Sequence, residues 1–216
     1  MKYTNLHTHK YTNQETVLEV VNQYPNNFDP NIRTYSVGIH PWHIDTNSVE
    51  ADLNIIENSL QLHGCFAIGE CGLDKKIKIP LALQIPIFEK QLLLAQKYNK
   101  PVIVHCVLAF QELIEIKNRL QITVPLIIHG FSKNEILGKQ LLDNGFYFSF
   151  GKNLLLNPES EIFFEQVPND AFFLETDSSD FSIEEIYEKA SKYKNIDLKI
   201  LKSIVYINFL RIFDLL

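Results

Sequence analysis

Cysteine, glycine and proline are all scarce in this sequence of 216 residues, at three, eight and nine. Three cysteines, Cys65, Cys71 and Cys106, are an odd number and form no CxxC pair. That argues against a disulfide framework, and each sits in or beside an apolar run. They read as reduced, mostly buried thiols of a cytoplasmic protein. With so little Gly and Pro and no biased tract, the chain is neither low-complexity nor disordered. No apolar run approaches the roughly 18 residues a membrane span needs. The opening "MKYTNLHTHKYTNQ" has no apolar h-region, so no signal peptide is expected. Positive charge is also short: 20 Lys and Arg against 26 Asp and Glu leave a net charge of -6. That argues against a broad basic nucleic-acid groove. It leaves a nucleic-acid substrate open, because bound divalent metal would supply positive charge locally.

Apolar residues make up 46% of the chain, enough for a sizeable core. The length fits one domain over residues 1–216, and no linker divides it. Eight short runs rich in Val, Ile and Phe read as strands: 2–7, 16–22, 34–39, 65–70, 101–106, 125–130, 146–151 and 172–177. Continuous apolar runs of this length suit strands buried on both faces, as in parallel sheets. Helical spacing of apolar residues appears over 49–64, 83–100, 109–120, 134–145, 182–193 and 198–216. The alternation predicts a TIM-like (β/α)8 barrel with shortened early connections. Only eight residues separate the first two runs, too few for a crossover helix. The competing architecture is an open parallel sheet.

Polar residues cluster where these runs stop. The first ends in "HTH", with His7 and His9 two residues apart and therefore on one face of a strand. The third runs into "GIHPWH", with His40 and His43; the fourth ends at Glu70, the fifth at His105, the sixth at His129 and the eighth at Asp177. In a (β/α)8 barrel the C-terminal strand ends converge on one mouth. Buried and unpaired there, these groups would be costly, and a metal relieves the cost. Imidazoles and carboxylates without thiolates suit Zn, Mn, Fe or Mg. Six ligands exceed one four-coordinate site, which points to two ions and hydrolytic phosphate chemistry. His63 reads as ordinary surface.

The set "HTH", "GIHPWH", "AIGECGLD", "PVIVHC", "HGFS" and "LETD", in that order over residues 7–178, resembles the TatD family of metal-dependent hydrolases, a branch of the amidohydrolase-like barrels. "INFLRIF" near the C-terminus resembles the family's closing helix. The resemblance implies that His7, His9, Glu70 and Asp177 hold one divalent ion. Glu70 would bridge to a second ion, held also by His105 and His129. It further implies metal-dependent DNase activity, often from the 3′ end of single-stranded DNA. His40 would sit by the scissile phosphate, and Asp177 would orient or deprotonate the attacking water. The ions would be Mg, Mn or Zn.

Departures from the family pattern touch substrate more than metal. Relatives often read "HCRD" after the fifth strand, where this chain reads "HCVLAF". After "ETD" it moves quickly into helix through "SSDFSIEEIY". Lys75, of "KKIK", and Lys133 are candidate phosphate contacts. Trp42, the only tryptophan, could stack on a base, and His43 could touch a phosphate. The expected protein is a monomeric metal-dependent phosphodiesterase. The alternatives are a hydrolase of small amides, esters or phosphoesters, and a non-catalytic binding module.

Overall fold

A computed structural model of the chain describes residues 2–215. All eight apolar runs are strands: β1 (Tyr3–Thr8), β2 (Val17–Gln23), β3 (Tyr35–Val37), β4 (Cys65–Asp74), β5 (Val102–Val107), β6 (Leu126–Ile128), β7 (Phe146–Phe150) and β8 (Phe172–Leu174). They form one sheet in sequence order. β1 pairs in parallel with β2, β3 with β4, β4 with β5, and β7 with β8. The end of β8 returns to β1: Thr8 bridges Asp177 in parallel, and the Asp177 N–H donates to the His7 carbonyl at 2.9 Å. The eight parallel strands alternate with helices α1 (Val49–Ser59), α2 (Leu81–Lys97), α3 (Phe110–Arg119), α4 (Glu135–Asp143), α5 (Asn153–Leu156), α6 (Glu159–Gln166), α7 (Ile183–Lys194) and α8 (Leu198–Ile212). This is the TIM-like (β/α)8 fold.

The sequence pattern did not anticipate α5 and α6. Asn157 and Pro158 end one helix and begin the next, so no window of helical period is long enough to register. β4 also runs four residues past the expected Glu70, because its buried end pairs with β5 as Gly72–His105, Leu73–Cys106 and Asp74–Val107. The early connections are short, as expected. Among the described residues no helix separates β1 from β2 or β2 from β3. In place of the first helix, the buried Glu19 carboxylate gathers the loop. It accepts from the Thr12 N–H and hydroxyl, both at 2.9 Å, and from the Asn13 N–H at 2.8 Å.

The chain divides into two compact units, Met1–Val21 with Ile128–Leu216, and Asn22–Ile127. The domain expected over 1–216 includes Met1 and Leu216, which lie outside the described residues. In the first unit Phe148, Phe150, Phe163, Phe164 and Phe172 are at most 1% exposed. Their rings meet edge to face or tilted, as at Phe148–Phe163 (5.2 Å) and Phe150–Phe164 (4.9 Å). Burying such a side chain contributes about 1.5–3 kcal/mol. α8 closes this core through Asn208, whose Nδ2 donates to the carbonyls of Asn169 (2.7 Å) and Phe172 (3.0 Å). α7 holds β1 through the Tyr187 hydroxyl, which accepts from the Thr4 N–H and donates to the Thr4 carbonyl.

In the second unit, Ile56 of α1 and Phe88 and Leu92 of α2 are buried, as are Ile68 of β4 and Ile103 of β5. α2 buries two glutamines, Gln84 and Gln91, seven residues and two turns apart on one face. Each clamps one backbone segment. Gln91 accepts from the Ile39 N–H (2.7 Å) and donates to the Ile39 carbonyl (3.2 Å). Gln84 accepts from the Asp74 N–H (2.7 Å) and donates to the Asp74 carbonyl (2.9 Å). One helix thereby fixes both the approach to His40 and the end of β4.

Candidate metal centre

Within the first unit, His7 lies in β1 and His9 one residue past its end. Their rings stand 5.0 Å apart and nearly perpendicular. The Asp177 carboxylate faces both: Oδ1 lies 3.4 Å from His9 Nε2 and 3.8 Å from His7 Nε2. Asp177 adopts a left-handed backbone (φ 53°), which aspartate tolerates better than most residues. Its N–H is tied to the His7 carbonyl, and the His9 N–H is tied to the Asp177 carbonyl at 3.2 Å. His129, just past β6, brings its ring 4.6 Å from that of His7. Ligating atoms of His7, His129 and Asp177 lie within 4.8 Å of one another.

Within the second unit, Glu70 is the hub. Its side chain is 5% exposed. The Glu70 N–H donates to Asn22 Oδ1 at 2.6 Å, which fixes the backbone beneath it. Oε1 meets His40 Nε2 at 3.1 Å and His105 Nδ1 at 2.9 Å. His40 also caps a short 3-10 turn, Pro41–His43, by accepting the Trp42 N–H on Nδ1 at 3.1 Å. An accepting Nδ1 carries no proton, so neutral His40 carries its proton on Nε2, toward Glu70. Burial lowers the His40 pKa, although its hydrogen bond to Glu70 and that carboxylate's charge oppose the shift. Ligating atoms of His40, Glu70 and His105 lie within 4.8 Å of one another.

The other expected contacts take varied positions. Trp42 is 58% exposed, and its indole Nε1–H donates to Asp74 Oδ2 at 2.7 Å. His43 is exposed and packs edge-on against Tyr24. Lys75 pairs with Glu112 at 2.6 Å. Lys133 is exposed between β6 and α4.

Sequence reasoning assigned no role to three further residues. Asp74 lies four residues after Glu70, and its Oδ2 lies 3.3 Å from His105 Nε2. Burial pushes the Asp74 carboxyl up, but the Trp42 indole, the Lys76 amide and His105 together outweigh it and hold it below the usual range. Glu175 is fully buried two residues before Asp177, with Oε1 3.3 Å from His129 Nδ1. Even spacing along a strand was the available signal for Glu175, and "GLD" for Asp74. Lys152 follows β7 and brings its ammonium 3.8 Å from Asp177 Oδ2; no sequence pattern pointed to it.

The donor set suits a divalent ion. One unit gathers three imidazoles and a carboxylate; the other gathers a buried carboxylate between two imidazoles. The three cysteines are buried and belong to neither group, which favours harder or borderline ions over soft ones. In each unit a carboxylate meets a histidine ring nitrogen at 3.3 Å, Asp74 Oδ2 at His105 Nε2 and Glu175 Oε1 at His129 Nδ1.

An 18%-identical crystal structure, the TatD homologue YJJV of Escherichia coli, superposes with a TM-score of 0.83 over 98% of each chain, which bears on the fold alone. A metal-dependent hydrolase of Haemophilus influenzae is 28% identical over 178 residues, 78% of this chain and 66% of its own length. A human 3'-5' RNA nuclease, TATDN2, is 34% identical over 84 residues, 38% of this chain and 11% of its own. The chain therefore spans about two thirds or less of these curated relatives. The model of the TatD-related DNase family matches residues 2–214, the whole stretch that carries the strand-end histidines and carboxylates. On that match the chain belongs to the TatD-related DNase family.

Proposed function

We propose that the protein is a divalent-metal hydrolase of phosphodiesters, acting on single-stranded DNA from the 3′ end, as a cytoplasmic monomer. The observation that carries this is the buried Glu70 carboxylate held between His40 and His105, a setting that needs positive charge. His7, His9, Glu70, His105, His129 and Asp177 would hold two ions, Mg, Mn or Zn. Bound there, the ions supply a nucleophilic water near neutral pH and offset charge on the phosphoryl group.

The remaining work falls to side chains. Asp177 accepts a proton from the attacking water. Attack at phosphorus breaks its bond to the 3′ oxygen, which takes up a proton and leaves a 5′ phosphate on the released nucleotide. His40, with its proton on Nε2, steadies Glu70 and sits beside the phosphate. Trp42 offers an exposed ring for stacking the terminal base, worth about 1–3 kcal/mol. Lys133 and Lys152 supply cations for the phosphates, and Lys75 does so on leaving Glu112. No described helix is long and apolar enough to cross a membrane.

A second reading is hydrolysis of small amides, esters or phosphoesters. Val107, the last residue of β5, and the exposed Leu108 just past it favour it, because they put apolar side chains where an arginine and an aspartate were expected.

The test is nucleotide release from 3′- and 5′-labelled single-stranded DNA and RNA by chelator-stripped protein resupplied with Mg, Mn or Zn. Stepwise shortening of DNA from the 3′ end, absent in Glu70→Ala, is expected. Cleavage of RNA alone would move the substrate to RNA. No cleavage by metal-loaded protein would overturn the nuclease reading in favour of small substrates.

A further inference from the structure

His105 meets a carboxylate on each ring nitrogen. Nδ1 lies 2.9 Å from Glu70 Oε1, and Nε2 lies 3.3 Å from Asp74 Oδ2. The two carboxylates are in different situations. Glu70 shares its oxygen with His40, and both are among the residues grouped with His105. Asp74 is committed to holding things in place. Its Oδ2 also accepts the Trp42 indole N–H at 2.7 Å, and its Oδ1 accepts the Lys76 N–H at 2.7 Å. Gln84 clamps the Asp74 backbone on both sides, and strand pairing with Val107 fixes its register. Its side chain is 3% exposed.

An imidazole that ligates through one nitrogen keeps its proton on the other, and the partner of that proton sets the ring's orientation. We propose that Asp74 is a positioning residue: it takes the Nε2–H of His105, leaving the Nδ1 lone pair for a metal ion beside Glu70, and holds Trp42 with the same oxygen. One buried carboxylate then fixes both the ligand ring and the exposed ring at the rim, whose centroids are 6.0 Å apart. This inference rests on the metal centre of the proposed function. It also gives the single tryptophan a defined relation to that centre.

The experiment uses chelator-stripped full-length protein resupplied with zinc. Zinc affinity is measured by competition with a chromophoric chelator for wild type, Asp74→Asn and Trp42→Phe. Long-range ¹⁵N–¹H spectra of the zinc-loaded wild type show which nitrogen of His105 carries the proton. Asp74→Asn is expected to weaken zinc binding roughly 10–100-fold. Trp42→Phe, which keeps the Asp74–His105 contact, is expected to stay within a few-fold of wild type. The His105 proton is expected on Nε2. A proton on Nδ1 in the zinc-loaded wild type overturns the proposal without recourse to any variant. So does Asp74→Asn binding zinc as tightly as wild type. A wild type that binds no zinc overturns the metal centre itself, and the positioning role falls with it.

Discussion

Gly72→Ala should be among the most damaging single-methyl additions to the second unit. Gly72 has φ +151°, in a region L side chains rarely adopt. It pairs with His105 across β4 and β5. A Cβ built there would stand 1.9 Å from the His105 carbonyl oxygen and 2.9 Å from its carbonyl carbon. Carbon–oxygen contacts ordinarily begin near ~3.3 Å, so the strands would have to part by more than an ångström. Overpacking costs about 1–3 kcal/mol, and the strained φ adds a similar amount. Together, about 2–6 kcal/mol is a large share of a typical stability of about 5–15 kcal/mol. For a chain of this size the thermal midpoint should fall by roughly 5–20 °C. Gly130→Ala is the matched control. It too has positive φ (+57°), but a Cβ there would meet only Glu175 Oε1 within 4 Å, at 3.6 Å. Only the conformational cost of about 1–2 kcal/mol applies there. Circular dichroism melts of the three proteins make the comparison. Gly72→Ala melting within about 2 °C of wild type, or above Gly130→Ala, would refute this account of how β4 approaches β5.

Three further predictions concern other parts of the chain. Asn208→Ala should strand the carbonyls of Asn169 and Phe172 and cost about 2–4 kcal/mol, read from urea unfolding; a loss under about 1 kcal/mol would contradict it. Burial pushes the thiols of Cys65 and Cys106 up to about 12, and that of Cys71 up as well, so none should react with a thiol reagent at pH 8 until denaturant exposes all three. Burial lowers Lys194 to about 8, although its ammonium donates to the carbonyls of Glu165 and Val167. Below that pH the lysine is charged in both states and the folded one bears the desolvation cost. Between about 8 and the ordinary value of 10.5 the unfolded chain holds more protons, so this residue's contribution to stability should rise with pH. Lys194→Met should flatten that rise in melts across the window, and an unchanged slope would refute it.

Much of the fold is legible because its strands are buried on both faces. "PVIVHC" and "FFLETD" announce themselves as apolar runs, and the histidines and carboxylates stand out at their ends. What escaped notice was written in interruptions and in tertiary contacts. Pro158 hides two helices by splitting their period. The fourth apolar run stops at Glu70, yet pairing with β5 carries the strand on through Gly72 to Asp74. Glu175 sits in the same "ETD" as Asp177, but only the position of His129 shows what it faces. Lys75 looked like a charge on offer, and Glu112, on α3, takes it. Charged side chains on loops have partners that sequence spacing does not encode, whereas strand alternation is a property of the backbone itself.

The most direct measurement is hydrolysis of a chromogenic phosphodiester, bis(p-nitrophenyl) phosphate, by chelator-stripped protein. It tests the metal centre and the bond cleaved without depending on which nucleic acid is the substrate. Activity should vanish on stripping, return with a divalent ion, and fail to return in Glu70→Gln or His105→Ala. Hydrolysis that persists without metal, or that survives in Glu70→Gln at the wild-type rate, would contradict the account at its centre.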